Sequence, residues 1–307
     1  MALGLIGNFA RTAVALALSN DRISAWILSN LASQGYLLYK DFADHKLVFN
    51  AAEAMGRRVY NHGHFHRDVT EAVFAIANEL RPNVAMLDVG ANFGTQSVYA
   101  QLCHCFSRVI SVEPDPSNFR LLRANAAMNA ENLEIELHEV AFSNREGTAR
   151  MQVSPYHSGA STLEALTDQQ SGGTKTYIDI DTVRGADLLN DIGVSPHEIS
   201  LIWMDVEKHE AAALEGMSEM LEDHPTLYFE YTYEQPSQDS IDTIDRLVFS
   251  SYPHLYLETR SLVPVTRDEI LEFTRTQTGH VNILATKLPV LSERFERALS
   301  ENAPSSL

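Results

Sequence analysis

Residues Met86–Thr95 read MLDVGANFGT, and this stretch decides the fold. The apolar run that leads into it from Asn83 has no helical periodicity and predicts a buried parallel strand. Gly90 and Gly94 allow a tight turn and a close approach of backbone to a ligand. Gln96–Leu102 then has the apolar spacing of a helix that packs on a sheet. Strand, glycine turn and helix together predict a small-molecule site at the carboxyl edge of an open α/β sheet.

The composition limits the classes of function. The 307 residues include 41 acidic and 23 basic side chains, and the net charge of −18 argues against general binding to nucleic acid or to anionic membranes. The apolar stretch over residues 2–19 is too short and too mixed to predict a transmembrane segment. Cys103 and Cys105 flank His104 without a second ligand pair at zinc spacing, so both are interpreted as reduced thiols. We therefore expect a cytoplasmic protein that acts on a small molecule and has no nucleic-acid partner.

Three regions are expected along the chain. Residues 1–80 predict a helical cap that binds substrate or forms a homo-oligomer, residues 81–290 an α/β domain, and residues 291–307 a polar tail. The helices predicted in the cap cover residues 9–18, 22–33, 45–59 and 68–80. A segment rich in Ser, Gly and Thr, residues 154–173, interrupts the domain and is predicted to be a mobile lid.

Four acidic side chains lie at or near the ends of predicted strands: Asp88, Glu113, Asp205 and Glu230. One such acid is common and is explained as a helix N-cap, but four converge on the edge where open sheets bind ligands. Glu113 follows Gly90 by roughly the twenty residues expected of an acid that accepts hydrogen bonds from a ribose. The ligand is therefore expected to contain an adenosine.

Two kinds of adenosine-containing cofactor are compatible with this pattern. A dinucleotide needs the spacing G-x-G-x-x-G, whereas Gly90 and Gly94 are separated by Ala-Asn-Phe. Asp88 would also oppose the phosphates of a dinucleotide, while a carboxylate suits the ammonium and sulfonium groups of S-adenosylmethionine. The residues favour S-adenosylmethionine. The alternatives are a nicotinamide-dependent oxidoreductase and a non-catalytic adenosyl-binding domain.

Several motifs resemble those of the FkbM-type methyltransferases. Residues 88–94 read DVGANFG and residues 202–210 read IWMDVEKHE. The segments VEPDPSNF at 112–119 and VAFS at 140–143 resemble the family in the same order, so the resemblance runs from about residue 84 to about residue 231. Lys208 departs from the family, which usually has glycine there, and this departure indicates a different substrate.

The resemblance implies a class I methyltransferase fold, which is a mostly parallel seven-stranded sheet with helices on both faces. It implies S-adenosylmethionine as the cofactor and, because family members often methylate sugars or natural products, a hydroxyl acceptor. The residues implied to contact or support the cofactor are Asp88, Gly90, Asn92, Gly94, Thr95, Glu113, Asn118, Val140, Ala141 and Asp205. Among them, Glu113 would bind the ribose, and the backbone of Val140 and Ala141 would meet the adenine.

Methyl transfer to a hydroxyl needs a base or a metal, because an alcohol is a poor nucleophile at neutral pH. Asp205 is the first candidate for the base, and Glu230 is expected to share its task. His209 and His64 are further candidates; His64 lies in the histidine-rich segment Tyr60–His66, which predicts either a loop over the site or a solvated loop. A divalent cation such as Mg²⁺ between Asp205 and Glu230 is an open alternative and not a predicted requirement.

Overall fold

A computed structural model describes residues 37–50, 53–130, 135–153, 162–164, 176–233, 236–259, 261–276, 279–290, 293 and 295–296. The first half contains β1 (Leu37–Asp41), β2 (Lys46–Asn50), α1 (Ala54–His62), α2 (Arg67–Leu80), β3 (Ala85–Val89), α3 (Thr95–Cys103), β4 (Arg108–Val112), α4 (Pro116–Asn129), β5 (Ile135–His138), β6 (Ala141–Phe142) and β7 (Gly147–Val153). The second half contains β8 (Thr162–Glu164), β9 (Thr176–Val183), α5 (Gly185–Asp191), β10 (Ile199–Met204), α6 (Glu210–Gly216), α7 (Ser218–Leu221), β11 (Thr226–Thr232), α8 (Gln238–Ile244), β12 (His254–Glu258), β13 (Leu262–Val265), α9 (Arg267–Thr276) and β14 (His280–Thr286).

The main sheet has eight strands in the order β13-β12-β14-β11-β10-β3-β4-β5. The five strands from β11 to β5 pair in parallel, whereas β14 lies antiparallel between β11 and β12. Two antiparallel steps make β12 parallel to β11, so β3, β4, β10, β11 and β12 all end at the same edge. This mostly parallel sheet with helices confirms the predicted class I fold. The count of seven strands was too low among the described residues, because β13 adds a short edge strand that pairs with β12.

The central strands are apolar on both sides because helices cover both faces of the sheet. Every residue of β3 and of β10 is buried. Leu87 and Val89 face one core, while Met86 faces the core that α2 and α3 cover. A parallel strand buried on both faces reads as a continuous apolar run, which is why these strands could be located in the sequence.

A second sheet, with the order β6-β9-β7-β8, packs beside the main one. β7 pairs antiparallel with both β8 and β9, and β6 pairs in parallel with β9. The predicted lid over residues 154–173 falls largely outside the described residues. Its residues 162–164 form β8 at the edge of this sheet.

The N-terminal part of the described chain corrects the expected helix over residues 45–59. Residues 37–50 form a β-hairpin, and α1 begins only at Ala54. The hairpin packs on α4, where Asn125 and Asn129 accept hydrogen bonds from the N–H groups of Val48 and Lys46 at 2.7 and 2.9 Å. The helices predicted over 9–18 and 22–33 lie outside the described residues.

Two smaller features also differ from expectation. The apolar spacing of Ala211, Leu214, Met217 and Leu221 predicts a helix from Glu207 to Leu221. In the structure this helix starts at Glu210 and is divided at Met217 into α6 and α7. Phe295, in the predicted polar tail, is fully buried in the core that contains Met86. Across the described chain, the helices are too short or too polar to cross a bilayer.

Candidate active site

A cavity lies at the carboxyl edge of β3, β4 and β10. Its empty volume, including the part open to solvent, is about 760 Å³, which suits a ligand of cofactor size. Gly90 and Asn92 after β3, Glu113 after β4 and Asp205 after β10 line it. The parallel topology therefore brings together residues that are far apart in the chain.

Gly90, on the wall of this cavity, lets the end of β3 lie against the loop that follows β10. Its φ is +84°, and a Cβ atom at this position would lie 1.9 Å from the carbonyl oxygen of Asp205. The N–H groups of Gly90 and Ala91 donate to the carbonyl of Val112 at 2.9 and 3.0 Å. Any side chain at Gly90 would therefore force β3 and the start of the loop after β10 apart.

Glu113 is held in the cavity wall by hydrogen-bond donors. Its carboxylate accepts from the N–H of Asn92 at 2.8 Å and from the N–H of Asp115 at 2.9 Å, and the Asn118 side chain also hydrogen-bonds to it. Burial raises the pKa of Glu113 to about 8. A carboxylate offers about four lone-pair sites, so Glu113 can still accept a hydrogen bond from a hydroxyl in the cavity.

Asp88 does not line this cavity, which corrects the direct contact that its position implied. Its side chain is 1% exposed and accepts hydrogen bonds from the Oγ of Ser97, at 2.5 Å, and from the N–H of Ser97. The Oγ of Ser97 lies 2.8 Å from that of Ser111 on β4. Burial raises the pKa of Asp88 to about 7. Asp88 therefore fastens the first turn of α3 to β3, beneath the glycine loop.

The remaining residues implied to contact the cofactor fall into two groups. Val140 and Ala141 line the cavity. Gly94 and Thr95 do not: Gly94 packs against Leu122, and the Thr95 hydroxyl donates to the side chain of Gln96 at 2.5 Å. Asn118 was expected to support Glu113 rather than to contact the cofactor, and its side chain hydrogen-bonds to Glu113.

Asp205, Glu207 and Glu230 form a carboxylate cluster beside the cavity. One oxygen from each lies within 4.8 Å of the others, and Asp205 and Glu207 also line the cavity. Burial, followed by repulsion from neighbouring acids, raises the pKa of all three, that of Glu207 to about 7. Such a group can hold a proton or accept a cation.

The loop that carries Glu207 has a strained backbone. Glu207 and Lys208 have φ angles of +41° and +66°, a region that residues other than glycine enter at a cost. The N–H of Lys208 donates to the side chain of Glu210 at 3.1 Å, which helps to hold this conformation. Left-handed residues of this kind are frequent where a loop must aim a side chain into a site.

The two histidines considered as bases lie in different cavities. His209 lines the first cavity, with its Nε2 atom 3.2 Å from the Oγ of Ser143. Burial lowers the pKa of His209 to about 4, so its imidazole is neutral at pH 7. His64 lines a second cavity instead, with His62 and His66. His64, a weaker candidate for the base, is therefore not among the residues that line the cavity of Asp205.

Other lining residues could not be anticipated from the sequence. Met55 belongs to α1, Met151 to β7 and Trp203 to β10, while Gln96 lies in the first turn of α3. In the sequence, the apolar residues Met55, Met151 and Trp203 are interpreted as part of the core. Only the packing of the second sheet and of α1 against the main sheet makes them part of the cavity wall.

Known proteins with similar sequences cover the same region. A family model described as the methyltransferase FkbM domain matches residues 88–262, more than half of the chain. The chain belongs to the FkbM methyltransferase domain family. The matched region begins at the glycine loop and contains Glu113 and the carboxylate cluster.

Two curated relatives align with this FkbM-family chain. The 31-O-demethyl-FK506 methyltransferase FkbM of Streptomyces tacrolimicus is 30% identical over 165 residues, which cover 46% of this chain and 62% of the relative. The methyltransferase sdnD of Sordaria araneosa is 27% identical over 175 residues, which cover 49% and 66%. The chain thus spans less than two thirds of either relative.

Solved structures give more distant likenesses. The methyltransferase FkbM from Methylobacillus flagellatus KT has a TM-score of 0.42 at 18% identity and covers 66% of this chain and 43% of its own. The TYW2 protein of M. jannaschii in complex with AdoMet has a TM-score of 0.41 at 13% identity and covers 81% and 84%. At these scores, neither likeness bears on the function of this chain.

Proposed function

We propose that this FkbM-family chain uses S-adenosylmethionine to methylate a hydroxyl group of a small molecule, such as a sugar or a natural product. The ionisable residues that line the first cavity carry the proposal. Glu113, Asp205 and Glu207 line it, and within the described part of the chain its wall contains no lysine or arginine. Such a wall offers no cation to the two phosphates of a dinucleotide, whereas a bound sulfonium cation would favour the ionised form of these acids.

The glycine loop supports the same choice of cofactor. In a dinucleotide loop that starts at Gly90, the second and third glycines would fall at Asn92 and Thr95. Asn92 instead donates its N–H to Glu113, so this group is not available to a pyrophosphate. The loop therefore fits a cofactor that is bound through its ribose better than one bound through phosphates.

The donor and acceptor groups on the wall fit S-adenosylmethionine. Glu113 would accept hydrogen bonds from the ribose hydroxyls, and Val140 and Ala141 would contact the adenine. The backbone of Gly90–Asn92 would lie against the methionine portion. When bound, this cofactor supplies a methyl group that is electrophilic because it is attached to positively charged sulfur. The contribution of the chain is to orient the acceptor and to exclude water.

The carboxylate cluster is proposed to take the proton from the acceptor hydroxyl. Asp205 is the first candidate because it lies both in the cluster and on the cavity wall. The raised pKa values of the cluster bring it close to neutral pH, where a general base is most effective. His209 is the second candidate, since it is neutral at pH 7 and lines the same cavity. A divalent cation bound by the cluster is the alternative to a free carboxylate base.

Isothermal titration calorimetry tests the cofactor. Titrations of the full chain with S-adenosylhomocysteine and with NAD, run side by side, are expected to show binding of the first alone. Binding of NAD alone would contradict the proposal and favour an oxidoreductase. Binding of S-adenosylhomocysteine without transfer to any acceptor would favour an adenosyl-binding domain.

The catalytic assignment is tested by transfer of a radiolabelled methyl group to an identified acceptor. Asp205→Asn is expected to lower kcat by about 100-fold or more, because the base is lost while the shape is kept. Asp181→Asn, at an exposed position of β9, is the matched control and should retain full activity. Full turnover of Asp205→Asn would exclude Asp205 as the base. Activity unchanged by a chelator would exclude only the cation alternative.

A further inference from the structure

A second cavity lies at the same edge of the sheet. Its empty volume, including the part open to solvent, is about 690 Å³. The ionisable residues that line it are Arg58, His62, His64, His66, Asp68 and Glu258. Glu258 is the last residue of β12, which ends at the same edge as β3 and β10.

The two cavities lie against the same helix, α1. Met55 lines the first cavity, whereas Arg58 and His62 line the second. These residues are spaced i, i+3 and i+7, so they share one face of the helix over about 10 Å. A single ligand that lies along this face can reach both cavities.

Side chains of the main sheet also connect the walls of the two cavities. Trp203, on the wall of the first cavity, packs against Tyr228 with ring centroids 4.2 Å apart and the ring planes tilted by 32°. The Tyr228 hydroxyl donates to Glu258, on the wall of the second cavity, at 3.4 Å. One pair of rings thus links the wall of the first cavity to that of the second.

Donor groups in the second cavity lack partners. Among the described residues, no carboxylate forms an ion pair with Arg58, whose guanidinium lies 5.9 Å from the ring centroid of Phe65. The Nδ1 atom of His64 is buried and has no hydrogen-bond partner within the described chain. Burial is the main cause that lowers the pKa of His64 and His66, so at pH 7 each ring is neutral and has one N–H group to donate.

One of the two acids of this cavity, Glu258, already has hydrogen-bond partners. Glu258 accepts hydrogen bonds from Tyr228 and from the side chain of Asn282, the latter at 3.1 Å. Asp68 lies in the first turn of α2, where the helix dipole favours a negative charge. The groups that remain to bind a ligand are therefore mostly donors.

The N-terminus of α2 adds backbone donors to the same place. This helix of 14 residues begins at Arg67, and its N-cap His66 has a φ of 49° and makes no side-chain cap. The first N–H groups of a helix have no acceptor within it, and they bind anions readily. His66, Asp68 and Val69 from this first turn line the cavity.

We propose that the second cavity binds an oxyanion, such as a phosphate group, carried by the methyl acceptor. Arg58 supplies the positive charge and a planar pair of donors, and the imidazoles with the first turn of α2 supply further N–H groups. The placement of the acceptor rests on the proposed function, since its hydroxyl would react in the first cavity. Anion binding itself does not depend on that function.

Inorganic phosphate is the probe for the anion site. Calorimetric titration of the full chain, saturated with S-adenosylhomocysteine, is expected to show one saturable site for phosphate at pH 7. Arg58→Gln should weaken this binding at least tenfold, because a charge-assisted contact is lost. Arg275→Gln removes the same charge from a side chain that is 73% exposed on α9 and should leave the affinity unchanged.

The outcomes separate this inference from the proposed function. No saturable phosphate site, an equal effect of the two arginine variants, or displacement of S-adenosylhomocysteine by phosphate would each overturn the inference alone. Phosphate binding to a chain that does not bind S-adenosylhomocysteine would keep the anion site and overturn the proposed cofactor.

Kinetics with an identified acceptor test whether the methyl acceptor carries the anionic group that binds in the second cavity. Arg58→Gln is expected to raise the KM for that acceptor at least tenfold while kcat stays within about twofold, the pattern of lost ground-state binding. A change in kcat alone, or an acceptor without an anionic group, would overturn the assignment to the acceptor.

Discussion

At the scale of single residues, Gly90 is a position where the backbone leaves no room for a side chain. Gly90→Ala combines a positive φ with a Cβ placed 1.9 Å from the carbonyl oxygen of Asp205. We expect it to lower the free energy of unfolding by roughly 2–5 kcal/mol, since left-handed strain and overpacking add. Urea denaturation measures this loss.

Gly193 provides the matched control for this substitution. Its φ is +72°, but no atom lies within 4 Å of a Cβ built on it. Gly193→Ala should therefore cost only the left-handed strain, about 1–2 kcal/mol. Equal losses at Gly90 and Gly193 would show that the contact with Asp205 is relieved cheaply and that Gly90 is not required for close packing.

The sequence could predict which acids reach the edge of the sheet, but not which way each one points. Glu113 and Asp205 follow their strands and line the first cavity, whereas Asp88 lies within β3 and turns towards α3. In a strand that is buried on both faces, apolar residues on both sides hide the alternation that would assign a face. The direction of Asp88 was therefore decided by packing.

At the scale of elements, the strands that the sequence located best are those with continuous apolar runs, such as β3, β10 and β12. The hairpin β1–β2 was predicted in part as helix, because its short strands are defined by partners distant in sequence. The side chain of Asn125 on α4 bonds both the N–H and the carbonyl of Val48. The second cavity escaped prediction for the same reason, since α1, α2 and β12 meet there only in the folded chain.

Asn125 is expected to hold the hairpin to the glycine loop. Its Nδ2 group donates to the carbonyl oxygens of Val48 and Phe93 at 2.9 and 2.7 Å, and the side chain is fully buried. Asn125→Asp replaces these two donors by an acceptor and should lower the free energy of unfolding by roughly 2–5 kcal/mol. Limited proteolysis should also cleave more rapidly within residues 37–50.

Asn190→Asp makes the same chemical change at an exposed position on α5 and serves as the control. It should leave both the stability and the rate of cleavage close to those of the parent chain, within about 0.5 kcal/mol. If Asn125→Asp behaved in the same way, the hairpin would be held by its apolar contacts with Phe93 and Val98 rather than by this amide.

At the scale of the whole molecule, acids with raised pKa values gather at one edge of the sheet. They are Asp88, Glu113, Asp205, Glu207 and Glu230, and burial is the first cause for each. In the unfolded chain these acids release their protons near pH 4, so above that pH the folded protein holds protons that the unfolded chain has lost. Stability is therefore lost as pH rises through the folded-state pKa values.

Buried histidines act with the opposite sign but over a lower range of pH. Burial lowers the pKa of His45, His64, His66 and His209 in the folded protein. Their contribution therefore increases with pH and is complete a little above pH 6.5, where the unfolded chain also loses its imidazole protons. Between about pH 7 and pH 8 the contribution of the histidines is therefore constant, while the acids named above still titrate.

We therefore expect the Tm of the unliganded protein to fall from pH 7 to about pH 8, by at most about 1.4 kcal/mol in free energy per pH unit for each proton held in excess, and to level off towards pH 9 as the acids of the folded protein ionise. Asp205→Asn removes one of these acids and should flatten the fall, as measured by thermal unfolding at pH 7, 8 and 9. Glu146→Gln removes the same charge from an exposed turn and should leave the slope unchanged. Equal slopes in the two variants would instead assign the pH dependence to repulsion across a chain with a net charge of −18, and would contradict the role of the buried acids.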